Sequence, residues 1–122
     1  MICGERHGKV WGHTVKLVDT PFCEVHRLVA NKGGVCSKHL HKHKYNTFYI
    51  EQGRMLIRVW KNDYDLCDET ILEKGQQITV PPGELHQFEA LEDETICFEI
   101  YFPFPIGPKD IERETVGYRE GG

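Results

Sequence analysis

Short runs of strand-forming residues, each closed by a turn signal, constrain the fold of this chain more than any other feature. Glu24 to Ala30, Thr47 to Glu51, Met55 to Trp60, Glu69 to Leu72, Gln77 to Val80 and Thr95 to Phe102 are rich in valine, isoleucine, threonine and aromatic residues. Between them stand Asn31-Lys-Gly-Gly, Gln52-Gly, Lys61-Asn-Asp-Tyr-Asp, Lys74-Gly and Pro81-Pro-Gly. Glycine reaches backbone conformations that other residues avoid, and proline cannot donate a ladder hydrogen bond, so each cluster ends a strand and turns the chain. Strands this short and this regularly punctuated predict an all-β sandwich or barrel. At 122 residues the chain has material for one core and therefore one domain.

The formal charge is −4, and lysine and arginine are spread along the chain. That distribution carries no footprint for nucleic acid or an anionic membrane, and leaves a small polar molecule in a local pocket as the expected partner. No apolar run approaches the length of a bilayer span, and the opening MICGERHGKVWG lacks the charged-then-apolar layout of a signal peptide, so a cytoplasmic location is expected. The five cysteines, Cys3, Cys23, Cys36, Cys67 and Cys97, are widely spaced and form no CxxC pair. They fit neither a disulfide framework nor a cysteine zinc knuckle and are read as reduced and half-buried. Cys36 is read as a small apolar residue beside the histidine segment.

That segment, Cys36 to Gly53, reads CSKHLHKHKYNTFYIEQG. In an extended chain, side chains two apart point the same way, so His39, His41 and His43 share a face as long as the strand continues. Asn46 joins that face only if the chain bends or bulges after His43. A fourth histidine, His86, follows the rigid turn Pro81-Pro-Gly83, which can aim one imidazole at others from a distant strand. Imidazole nitrogen is a good ligand for zinc, iron, nickel and copper, and three protein ligands leave a coordination position for water or substrate. His7, His13 and His26 belong to no such pattern and are read as surface or strand residues.

The spacing Gly33, five residues, His39-Leu-His41, four residues, Asn46, six residues, Gly53 resembles the first motif of the cupin superfamily. Gly75, five residues, Pro81-Pro-Gly83, two residues, His86 resembles the second. The resemblance implies a small antiparallel double-stranded β-helix, the jelly-roll barrel, over residues 1–122. Its core would be about 22–103, with an N-terminal strand or arm at 1–21 and a short C-terminal arm at 104–122. It also implies one divalent metal ion, zinc, nickel or iron, held by His39, His41 and His86. Asn46 stands at the usual glutamate position, as a weak fourth ligand or a partner of the ligands. Cupins of this size commonly pair through sheet faces, which implies a homodimer.

Over most of its length the chain also looks like the cupin domain of type II mannose-6-phosphate isomerases, through Lys9-Val-Trp-Gly12, Glu24-Val-His-Arg-Leu-Val29, Gly33-Gly34, His41-Lys-His43, Phe98-Glu-Ile100, Gly107-Pro-Lys-Asp-Ile-Glu-Arg113 and Tyr118. This second resemblance stresses His41 and His43, which makes His43 either a ligand in place of His39 or an acid/base group at the rim. The residue after the second-motif histidine, usually arginine, is Gln87, and the glutamine of the last strand is Tyr101. The resemblance implies aldose–ketose isomerisation of a sugar phosphate. Metal would polarise the substrate oxygens while a base, drawn from His43, Glu84 and Tyr101, moves a proton between neighbouring carbons. Lys42, Lys44, Arg58 and Gln87 are the candidates for substrate binding, the three cations for the phosphate. Two further readings remain: a three-histidine metal cupin of dioxygenase or lyase type, and a non-catalytic cupin that holds a sugar or metal.

Overall fold

The computed structural model describes residues 4–61, 66–103, 117 and 119. The described residues form nine antiparallel strands: β1 (Arg6–Lys9), β2 (Gly12–Asp19), β3 (Glu24–Ala30), β4 (Tyr45–Gln52), β5 (Arg54–Trp60), β6 (Cys67–Glu73), β7 (Gln77–Val80), β8 (Leu85–Ala90) and β9 (Thr95–Phe102). They make one six-stranded sheet in the order β1-β2-β3-β9-β4-β7 and one three-stranded sheet in the order β6-β5-β8. This is the all-β jelly-roll expected from the sequence. Among the described residues no helix is long and apolar enough to cross a membrane.

Pairing register sorts the large sheet into two faces, because directly opposed residues on neighbouring strands point the same way. Leu28 lies opposite Cys97, which in turn lies opposite Ile50, and all three are fully buried. They join Phe48, Met55, Ile57, Val59, Val80, Phe88 and Ala90 in one core between the sheets. At one end the same inward phase continues into polar residues: Glu24 opposite Tyr101, His26 opposite Glu99, and Asn46 opposite Tyr101. The inner face is thus apolar at its centre and polar at its mouth.

Glycine is required at the tightest hairpin. Gly53 alone links β4 to β5, with φ of +80°, and a Cβ there would fall 2.5 Å from Thr95 Oγ1. Thr95 is fully buried, and its hydroxyl donates to the carbonyls of Glu92 (2.8 Å) and Arg54 (3.3 Å), so it has little room to yield.

Three strands are absent from the runs read off the sequence. β1 and β2 form a hairpin within the segment expected as an N-terminal strand or arm, and β2 pairs with β3 from Gly12 to Asp19 around a bulge at Lys16/Val18. β8 alternates half-buried and buried residues, but its inward positions are His86, Phe88 and Ala90, so a polar residue interrupts the apolar period. β9 ends at Phe102 with Pro103, which can donate no ladder hydrogen bond, in a bend. The expected C-terminal arm, including Gly107 to Arg113 and Tyr118, lies outside the described residues apart from isolated positions.

Candidate metal centre

The segment after β3 runs irregularly along β8. Backbone hydrogen bonds join Ala90 N to Gly34 O (2.9 Å), Cys36 N to Phe88 O (3.2 Å), His39 N to His86 O (3.1 Å) and His86 N to His39 O (2.8 Å). Pairing shifts by one residue between the Val35–Glu89 and His39–His86 bridges, so the chain bulges there. The Pro81-Pro-Gly83 turn is tied to the same segment, since Gly83, at φ +86°, donates its N–H to the His41 carbonyl at 2.8 Å. Both histidine segments therefore meet through the backbone, before any side chain is considered.

His39, His41 and His86 come together. One ring nitrogen of each lies within 4.8 Å of the others, and the ring centroids are 4.6 to 5.3 Å apart. Two of the tautomers are set from behind. His86 Nδ1–H donates to the Glu84 carbonyl at 3.0 Å and His39 Nδ1–H to the Ser37 carbonyl at 2.8 Å, which leaves the Nε2 lone pairs for the centre. Burial holds the His41 pKa down to about 4, with His39 and His86 adding to the shift, and burial lowers that of His86 as well. Both rings are thereby neutral near pH 7, the form that ligates metal.

Two buried atoms support the fit. His41 Nε2 and Asn46 Oδ1 are buried without a hydrogen-bond partner, an arrangement that costs free energy unless something else fills the site. Asn46 is fully buried, with Nδ2 3.3 Å from His86 Nε2 and 3.4 Å from Glu99 Oε2. The donor set suits a divalent ion that accepts nitrogen ligands, and His39, His41 and His86 could hold it.

His43 stands apart from this group, because the extended run on which a shared face depended ends before it. The chain bends at Lys42 and His43 as it crosses from β8 toward β4 in the other sheet, so the alternation that unites His39 and His41 stops there. His43 and Lys42 are exposed. Glu84 serves the cluster through its backbone carbonyl. Arg58 and Gln87 oppose each other on the face of β5 and β8 away from His86, which itself opposes buried Val59. There Arg58 pairs with Glu89 at 2.7 Å and Glu69 at 3.7 Å, while Gln87 Nε2–H donates to the Cys36 carbonyl at 3.0 Å. Neither faces the histidine cluster.

A cavity of about 430 Å³ opens beside His39, lined in part by Trp11, His26, Phe88, Glu99 and Tyr101. The Tyr101 hydroxyl donates to Glu99 Oε2, its ring lies 5.0 Å from that of His41, and the Lys44 ammonium sits 4.4 Å over the ring. Burial, reinforced by the Glu99 carboxylate, pushes the Tyr101 hydroxyl far above its ordinary pKa, so it remains a proton donor. Cys36 also lines the cavity, and burial pushes its thiol up to about 11, which leaves it inert as a nucleophile.

Sequence reasoning passed over Glu99 and His26. Both signals were present as period-two phase: Glu99 and Tyr101 alternate on β9, and register carries that phase across to His26 and Glu24 on β3, where His26 Nε2 is 3.1 Å from Glu24 Oε2. The pairing partner, invisible in one sequence, was needed to use them.

The sequence family described as the cupin domain (Cupin_2) matches residues 26–101, which span every inward-facing group just described except Trp11 and Glu24. Solved structures agree in fold. KdgF from a Halomonas species is 17% identical with a TM-score of 0.71, the match covering 83% of this chain and 89% of that one. The capsular polysaccharide assembling protein CapF from Staphylococcus aureus is 19% identical with a TM-score of 0.73, over 90% of this chain and 30% of CapF. Oxalate decarboxylase from Bacillus subtilis is 13% identical with a TM-score of 0.73, over 82% of this chain and 27% of that protein. The chain thus corresponds to under a third of the latter two. No curated protein matches by sequence.

Proposed function

The chain belongs to the cupin family, and from that premise we propose that it is a metal-dependent enzyme carrying out aldose–ketose isomerisation of a sugar phosphate or similar small polar substrate. The observation that carries the reading is the convergence of His39, His41 and His86, with His41 Nε2 buried and unpartnered at its centre. His39, His41 and His86 hold the ion, zinc, nickel or iron, in this reading. When bound, the metal supplies Lewis-acid polarisation of substrate oxygens.

The chain's own groups do the rest. The cavity beside His39 takes the substrate against Trp11 and Phe88, whose edge-to-face rings lie 5.0 Å apart. Tyr101, of the three residues expected to move protons, lines that cavity and relays a proton, its hydroxyl passing one to Glu99 Oε2 as it takes one from the substrate. Lys44, whose ammonium sits over the Tyr101 ring, is the cation for an anionic group, since Arg58 is already paired with two carboxylates. CapF, named for capsular polysaccharide assembly, lends a carbohydrate context.

A second reading rests on the neutral residue at position 46. Three histidines without a carboxylate from that position also suit a dioxygenase or lyase site, and oxalate decarboxylase shares the fold. The test is to load the protein with zinc, nickel or iron and incubate it with aldose and ketose phosphates in heavy water. Interconversion with deuterium entering at the carbon that exchanges its proton supports isomerisation. No exchange with any of them, with oxygen consumed by the iron form, overturns it in favour of the second reading.

The assembly in this reading is a cytoplasmic homodimer. Val25, Val29, Ile96, Phe98 and Ile100 share the outward face of the large sheet beside Tyr49, an apolar surface suited to a second copy. Cys23, Cys36, Cys67 and Cys97 are free thiols, in keeping with a reducing compartment.

A further inference from the structure

We infer that Glu99 supplies the negative charge that position 46 lacks, so that this site keeps its carboxylate on β9 and reaches it through Asn46. The inference rests on the metal reading above and adds a residue to it. A dication among three neutral imidazoles in a partly buried site gains from a nearby anion, because charge is poorly screened there. Asn46 cannot provide one.

Glu99 can. It faces the same cavity as His39, and Asn46 stands between it and the cluster: Nδ2–H donates to Glu99 Oε2 at 3.4 Å, and the same nitrogen lies 3.3 Å from His86 Nε2, the atom whose lone pair a metal would take. Tyr101 donates to the same Oε2. Both hydrogen bonds fall on Oε2, so Oε1 is the oxygen left for a water or substrate atom in the cavity that Glu99 lines. The neighbouring carboxylate, Glu24, is committed to His26 at 3.1 Å and has no hydrogen bond to Asn46, although its charge is felt at His41. Residue 46 then works as a positioning residue whose amide holds an anion beside the ligands, in place of being the anion.

The test is zinc, nickel and cobalt binding, measured by calorimetry and by metal content after dialysis, on the whole chain and three variants. Glu99→Gln keeps the shape and loses the charge, and should weaken binding about 10- to 100-fold with an unchanged thermal midpoint of the metal-free protein. Glu24→Gln removes a charge that reaches His41 without a hydrogen bond to Asn46, and should weaken binding at least about threefold less than Glu99→Gln does. The exchange Asn46→Asp with Glu99→Gln returns a carboxylate to position 46 and an amide to position 99, and should restore most of the lost affinity; it also tests the idea if Glu99→Gln alone folds poorly. Wild-type binding by Glu99→Gln, or an equal loss in Glu24→Gln, overturns the assignment of Glu99 while leaving the metal site standing. Absence of metal binding by the unaltered chain overturns both, and the fault then lies with the metal reading.

Discussion

His39 and His86 are bound to each other through the backbone in both directions, His39 N to His86 O at 3.1 Å and His86 N to His39 O at 2.8 Å, with their rings 4.6 Å apart. Two residues 47 positions apart in the chain thus form one antiparallel bridge, and the position of one ring is set by the strand that carries the other.

It follows that the metal site depends on the rings while the fold depends on the bridge. His41→Ala and His86→Ala should each reduce bound metal from about one ion per chain to under about a tenth, because a site with three protein ligands loses its hold with two. Elemental analysis of untagged protein measures this, and circular dichroism should show the strands retained.

The pH dependence of the metal-free protein has a defined sign. His41, with its pKa lowered to about 4 by burial and by His39 and His86, stays neutral in the fold while its unfolded counterpart takes up a proton below about pH 6.5. The unfolded state then binds more protons, so stability falls as pH drops from about 6.5 toward 4 and levels off once the folded ring also protonates. Thermal unfolding after chelation, across that window, should show the midpoint declining, and His41→Gln should flatten the decline.

Gly53→Ala should destabilise the fold by about 1 to 3 kcal/mol, combining a positive φ with a Cβ driven against Thr95. Urea unfolding gives the difference. The same change at Gly75, also at positive φ but with open space around its Cβ position, should cost less.

For the homodimer proposed above, Phe98→Asp should give a folded monomer. Phe98 opposes Arg27 and Tyr49 on the outward face of the large sheet, so a carboxylate there is solvated in the single chain and buried in a sheet-to-sheet pair. Sedimentation velocity distinguishes the two states.

Tyr101→Phe should lower turnover about 100-fold while leaving metal content unchanged, since it removes a proton donor from the cavity wall and no ligand. An equal fall in metal content would instead mark Tyr101 as support for the site through Glu99.

Strand type and turn chemistry are local, and so the all-β architecture, the hairpin glycine at Gly53, and β3, β7 and β9 to their terminal residues were legible in the sequence. The spacing of His39, His41 and His86 was legible for the same reason, each being set by a short segment with its own turn. What the chain could not reveal alone is which alternating residues meet. His43 leaves the cluster because the backbone bends where it crosses between sheets, and Arg58 and Gln87 face outward because β8 pairs His86 with Val59. Glu99 reaches Asn46 because β4 and β9 are neighbours, although 53 residues separate the two side chains in the chain. Period and turns are properties of consecutive residues; register and the meeting of two sheets arise from burial of the common core, and only the folded chain decides them.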